Sequence, residues 1–287
     1  MISNIFWTTF IAGITQSVLL IACLMTFLFV CALIKKRNDI VDIAWGLGFV
    51  FVAWFNFYMF GFREIFFGHI EGGIRWQALL VVCAVTVWGL RLSTHIFLRN
   101  KDKDEDFRYK KWREEWGKWF TIRSFFQIFV LQGFLMLLIS VPVIAATIFG
   151  AHTISWITLV GLLIWLTAFL FESIGDYQLS KFIKNPLNKG KIMSAGLWKY
   201  TRHPNYFGEV TGWWGIYLMV LPATKFVLVS TWPVWVVSLI GPLTITFLIL
   251  KVSGIPMLEK KYEGNVEFEE YKKKTNAFFP WFSKNIN

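Results

Sequence analysis

Charge of either sign is scarce in this chain. Asp, Glu, Lys and Arg together make up 16% of 287 residues, against roughly 25% in ordinary soluble domains, and that shortage excludes a solvated globular domain of the usual kind. Cysteine is nearly absent as well: Cys23, Cys31 and Cys83 all sit inside apolar runs without CxxC or CxxH spacing, so neither a disulfide framework nor a thiolate metal site is expected. His69 and His152 have no second imidazole or carboxylate at metal-ligand spacing, and no metal is assigned to them. No Gly/Ser-rich or Pro-rich linker, repeat or low-complexity tract divides the sequence. Residues 1–287 are therefore expected to form one membrane-embedded domain, with 251–287 as a cytoplasmic tail. The first apolar run is too long for a signal peptide and lacks a basic leader and a small-residue cleavage pattern, so it is expected to be retained.

What the chain does have is apolar length: 56% of its residues are hydrophobic and 19% aromatic. A bilayer core about 30 Å thick takes a helix of roughly 20 apolar residues. Seven stretches approach this, from about Ile5 to Ile34, Ile40 to Phe60, Trp76 to Leu98, Phe125 to Phe149, Ile154 to Tyr177, Tyr206 to Leu221 and Phe226 to Leu250. The sixth is short and polar for a span. The expected fold class is thus all-α and polytopic, with about seven transmembrane helices.

The net charge of +11 follows the same pattern. Of 29 basic residues, three lie at Lys35–Arg37, nine between Arg99 and Arg123, six between Lys181 and Arg202, and seven beyond Leu250. The intervening loops hold only Arg63, Arg75 and Lys225, with Arg91 inside the third span. Short cytoplasmic loops are enriched in Lys and Arg, so the alternation predicts an N-terminus outside, a C-terminus in the cytoplasm and no patch requiring nucleic acid.

Ionisable groups inside spans are costly and are candidates for a site. Asp39 and Asp42 open the second span, Arg91 and His95 lie toward the cytoplasmic end of the third, Glu172 and Asp176 close the fifth, and Asn205 and Glu209 open the sixth. Each pair is three or four residues apart, hence on one helix face, and the four pairs could share one cavity open to the cytoplasm. The competing reading makes each an interfacial residue solvated by headgroups or capping a helix start, as at Asp39. Trp213 and Trp214, just past Glu209, are either ordinary packing or the walls of a flat apolar pocket.

The segment DYQLSKFIKNPLNKGKIMSAGLWKYTRHPNYFGE (176–209) breaks the apolar monotony. Lys181, Lys184, Lys189, Lys191, Lys199 and Arg202 are cations suited to phosphates, although topology alone could make this loop basic. Pro204 is placed to begin the sixth helix, whose N-terminal N–H groups favour anions.

The string GLWKYTRHPNYFGE, with GDYQL before it and KVSGIPMLEKKY and EEYKKKTNAFFPWF after it, resembles the C-terminal half of the steroid 5α-reductase superfamily. Through DIVDIAWGLGF, VWGLRLSTHIFLR and EDFRYKKWREEWG the likeness reaches the N-terminal half, and it is nearest to a bacterial branch labelled a domain of unknown function. The resemblance implies a seven-helix membrane fold that takes hydride from NADPH on the cytoplasmic side of a bacterial inner membrane, with residues 125–287 carrying the steroid-reductase-like cofactor half. It further implies reduction of a C=C bond in an apolar, steroid-, isoprenoid- or lipid-like substrate, such as an enone. By motif, Asn205, Glu172 and Asp176 correspond to cofactor-holding positions, joined by Lys184, Lys191, Arg202, His203, Tyr206 and Lys251. Glu209 corresponds to the carboxyl engaging the substrate carbonyl, with Arg91 and Asp42 completing the catalytic set, Asp42 by orienting a proton donor. Glu172 stands where the steroid enzymes have Asn, Lys251 where they have Arg, and their catalytic tyrosine has no clear match. Membrane methyltransferases for isoprenylcysteine and phospholipids share the RHPxY string, where it holds S-adenosylmethionine, and make the second reading. A non-enzymatic lipid-binding protein is the third.

Overall fold

The computed structural model describes residues 2–62, 73–221 and 225–283, and among them all regular structure is helical. Arg63 and His69 lie outside the described residues. The helices are α1 (Ile2–Lys35), α2 (Ile40–Asn56), α3 (Trp76–Asn100), α4 (Phe107–Trp116), α5 (Phe120–Ser124), α6 (Leu131–Phe149), α7 (Trp156–Lys184), α8 (Pro204–Val220), α9 (Lys225–Ser238), α10 (Ile240–Phe247), α11 (Ile255–Lys260) and α12 (Val266–Lys274).

Among the described residues, six helical stretches are long and apolar enough to cross a membrane: Trp7–Lys35, Ile40–Gly61, Trp76–Asn100, Phe107–Phe149, Trp156–Lys184 and Trp232–Lys260. They include six of the seven expected spans. The remaining one is helical too, but α8 has only 17 residues, about 26 Å at 1.5 Å per residue, and falls short of the bilayer core. The fourth span is longer than expected. Its 43 residues are not one straight rod: the left-handed backbone of Gly117 (φ 48°) separates α4 from the helical turns that lead into α6.

The chain divides into two compact units, Met1–Thr158 with Met219–Gly241, and Leu159–Leu218 with Pro242–Asn287. In the first, α2 lies closely along α3. A Cβ on Gly46 would drive into the carbonyl oxygen of Gly89, and one on Gly89 would lie 2.5 Å from that of Gly46. Lipid tails are as apolar as leucine, so helices here gain by close backbone approach rather than by burying apolar surface from water, and glycine permits that approach. The Ser93 hydroxyl accepts from the Leu47 N–H (3.1 Å) at the same crossing. At the far end of α3, the buried Gln77 amide donates to the Met219 carbonyl (2.8 Å) and the Thr158 hydroxyl (3.2 Å) and accepts from the Ala151 N–H (2.7 Å). One side chain thus ties Met219 into the first unit.

The second unit is built on an antiparallel hairpin of α7 and α8. A Cβ on Gly208 would come within 2.6 Å of the Ala168 oxygen and the Glu172 nitrogen, and one on Gly215 within 2.8 Å of the Trp165 nitrogen. The register runs from Gly175 beside Pro204 to Trp165 beside Gly215. Trp213, a possible pocket wall by sequence, is fully buried.

Because the α2–α3 crossing is backbone against backbone, Gly46→Ala should lower the stability of the detergent-purified protein by about 1–3 kcal/mol. Gly212→Ala, whose Cβ would meet its neighbours at an ordinary 3.7 Å, should leave the melting temperature unchanged.

Candidate functional site

Each unit carries its own polar cluster. In the first, the α1–α2 turn meets the segment between α3 and α4. Asp39 sits at the N-cap position of α2 yet makes no capping bond, contrary to the interfacial reading of it. At 1% exposure its carboxylate takes Arg37 through both Nε (3.1 Å) and Nη2 (2.8 Å) and accepts from the Asp106 N–H (3.3 Å). Hydrogen bonding to Asp39 raises the Arg37 pKa further above its ordinary value. Arg37 also donates to the Lys103 carbonyl (2.8 Å), and Glu105 joins Arg113 (3.0 Å) to the Asn38 N–H (2.8 Å).

Asp42 lies one turn into α2 and carries the part of this cluster with chemical potential. It accepts from Arg108 Nη2 (2.8 Å) and from the Tyr109 hydroxyl (2.6 Å). Tyr109 is buried, and Gln132 Nε2 reaches the same hydroxyl at 3.4 Å. Asp42 was expected to orient a donor, and the donor on it is Tyr109, which sequence reasoning missed. Its signal is the spacing within DFRYKK: Asp106 caps α4 by accepting from the Arg108 N–H (3.0 Å), which sets Arg108 and Tyr109 side by side. Arg91 and His95 are half-buried on α3.

In the second unit the acids Glu172 and Asp176, 3% and 8% exposed, project one turn apart from the C-terminal half of α7. Asn205, in the first turn of α8, donates from Nδ2 to Asp176 Oδ1 (3.1 Å). The structure therefore brings together three of the residues chosen from sequence. Asn205 Oδ1 and His203 Nδ1 are buried with no hydrogen-bond partner among the described residues. His203 stacks on Tyr206 at 5.4 Å between ring centroids, and Glu209 follows one turn on from Asn205, half-buried.

Arg202 departs from expectation. Rather than facing a phosphate, it is buried, donating from Nε to Glu259 Oε1 (2.8 Å) and from Nη1 to the Thr275 carbonyl (2.5 Å). His203 Nε2 meets the same Glu259 oxygen at 3.0 Å. Two consecutive motif residues are thus held by one carboxylate from α11, a partner 57 positions away that no local spacing announces. The tail closes over the loop through further bonds: Thr201 Oγ1 to the Phe278 carbonyl (2.9 Å), Arg202 N–H to the Asn276 carbonyl (2.9 Å), and the Tyr271 hydroxyl to the Trp198 carbonyl. Burial pushes the Tyr271 phenol above its ordinary pKa, so it stays a donor. Lys184, Lys191 and Lys251 are exposed and remain available to a ligand.

The combination is rich in acceptors. Two carboxylates and an amide oxygen lie on the facing turns of α7 and α8, suited to ligand hydroxyl, amide or ammonium donors, while the exposed lysines suit phosphate.

A family model described as "Protein of unknown function (DUF1295)" matches residues 28–275. No curated protein and no solved structure matches.

Removing the charge from Glu259 leaves the buried Arg202 guanidinium uncompensated, which for such pairs costs ~3 kcal/mol or more. Glu259→Gln should therefore melt well below the parent protein in detergent, whereas Lys184→Ala should melt with it.

Proposed function

The chain belongs to the family described as protein of unknown function (DUF1295), and on that premise we propose that it is an NADPH-dependent membrane reductase. Its substrate would be an apolar molecule or lipid with a C=C bond conjugated to a carbonyl. The observation that carries this reading is the Asp176–Asn205 hydrogen bond, which locks the acid pair of α7 to the first turn of the RHPNYFGE helix. The resemblance to the steroid 5α-reductase superfamily runs through the same residues.

The residues fit a dinucleotide. Asp176, Glu172 and the Asn205 amide oxygen would accept from ribose hydroxyls and a carboxamide, His203 Nδ1 would offer one further hydrogen-bonding position, and Lys184, Lys191 and Lys251 would meet phosphates. Bound there, a reduced nicotinamide supplies hydride to the β-carbon of the alkene. A protonated Glu209 would hold a proton on its carboxyl for the carbonyl oxygen or α-carbon. Arg202 acts through position, fixing the start of α8 by way of Glu259. Asp42 with the Tyr109 hydroxyl is a second proton-holding pair. The basic loops support a cofactor side facing the cytoplasm by the positive-inside rule, and a bacterial inner membrane is the location that the resemblance implies.

A ligand that binds only the folded state raises the melting temperature by mass action. Titration with NADPH should stabilise the detergent-purified protein, and Asn205→Ala should weaken that binding about tenfold, the effect of a lost hydrogen bond of ~1.4 kcal/mol. Glu209→Gln should keep the NADPH shift and lose roughly 10²-fold or more in turnover. Stabilisation by S-adenosylmethionine but not by NADPH would replace this reading with a methyltransferase, and silence from both would leave a lipid-binding protein.

A further inference from the structure

The C-terminal segment of the second unit is held firmly while presenting its largest side chains outward. Phe279, Trp281 and Phe282 are 70%, 68% and 76% exposed, yet the backbone between them is tied down. The Trp281 N–H donates to the Tyr200 carbonyl (2.9 Å), Ser283 Oγ donates to the Lys199 carbonyl (3.0 Å), and Thr201 Oγ1 binds the Ala277 and Phe278 carbonyls. In water, a fixed aromatic cluster of this size would be an unrelieved exposed apolar patch.

Ring contacts place the cluster relative to the membrane. Phe279 and Phe278 pack on Phe207 of α8 (centroids 6.4 and 5.6 Å), and Phe207 packs on Phe171 of α7 (5.4 Å). Phe171 lies between Leu170 and Ile174, members of an exposed apolar stripe that includes Leu159, Leu163, Leu166 and Tyr177 along the spanning helix α7. The tail therefore turns back against the flank of the hairpin, level with the lipid-facing stripe. Immediately before it, Lys272, Lys273 and Lys274 are exposed, a cationic row matched to anionic headgroups.

We infer that the segment Asn276–Ser283 is an interfacial anchor whose Phe279, Trp281 and Phe282 insert at the headgroup–acyl boundary of an anionic phospholipid bilayer. Aromatic rings prefer that depth, with lysine amines just outside it. Because the same segment bonds to Tyr200, Thr201 and Arg202, the anchor fixes the start of the RHPN helix against the membrane surface. This assignment holds whatever reaction the protein performs.

Nitroxide accessibility tests it on the full chain, with Cys23, Cys31 and Cys83 changed to Ala and the protein reconstituted in vesicles of mixed phosphatidylcholine and phosphatidylglycerol. Labels at Phe279→Cys, Trp281→Cys and Phe282→Cys should show an oxygen-to-nickel-chelate collision ratio several-fold above that at Glu270→Cys, an exposed site on α12. Ratios equal to that of Glu270→Cys would overturn the anchor. Protection from both reagents would overturn it in favour of a protein partner or a second copy. If the labelled variants misfold, Trp281→Phe in the otherwise unchanged chain should lower the fraction of tryptophan fluorescence quenched by brominated lipid, and an unchanged fraction counts against the proposal.

Discussion

A helix in hydrocarbon gains nothing by hiding apolar side chains from water, so what brings spanning helices together is how closely their backbones can approach. Gly208 against Ala168 and Glu172 is the contact on which the candidate site depends. A side chain there would push α8 away from α7 and part Asn205 from Asp176, whose hydrogen bond joins the two helix ends. The same principle operates at Gly46 and Gly89 in the first unit, where it leaves the polar end of α2 in position for Asp42 to take Arg108 and Tyr109. Polar chemistry at the helix ends is thus spaced by glycine within the membrane.

The excess of basic residues divides by type. Arg37, Arg108, Arg113 and Arg202 each hold a carboxylate at 3.0 Å or less, and three of them also donate to main-chain carbonyls. Lys184, Lys189, Lys191 and Lys199 are exposed. The planar guanidinium satisfies a carboxylate and a carbonyl at once, whereas an ammonium is a strongly hydrated point charge. Arginine therefore staples loops that lysine only decorates. Charge that the positive-inside rule explains as topology is, residue by residue, also the cohesion of the extramembrane segments.

Spans were legible because length and apolar composition are local properties, and even the marginal stretch from Tyr206 to Leu221 shows as a helix too short to count by length. The grouping of Glu172, Asp176 and Asn205 was legible in part, since i, i+4 spacing places both acids on one face of α7. Arg202 was misread for the opposite reason. Its sequence neighbours suggest a phosphate loop, but the partner that decides its role, Glu259, comes from a helix of only six residues far along the chain. Tyr109 escaped for a similar cause: it falls in a segment that reads as charged and soluble, and only the fold turns it back onto Asp42. Asp39 looked like a helix cap because position suggests caps, while a bidentate arginine two residues earlier outcompetes the cap bond.

Committing Arg202 to Glu259 changes what the start of α8 can select. A helix N-terminus preceded by a free arginine would favour any anion. Here the guanidinium is neutralised by its partner, the Asn205 amide turns its nitrogen to Asp176, and Asn205 Oδ1 and His203 Nδ1 are the atoms left over at the turn. His203 Nε2 is committed to Glu259, so only its Nδ1 is left to meet a ligand. An isolated phosphate would meet acceptors where it needs donors. The facing turns of α7 and α8 therefore favour a ligand's hydrogen-bond donors, while the surface lysines favour its anionic groups.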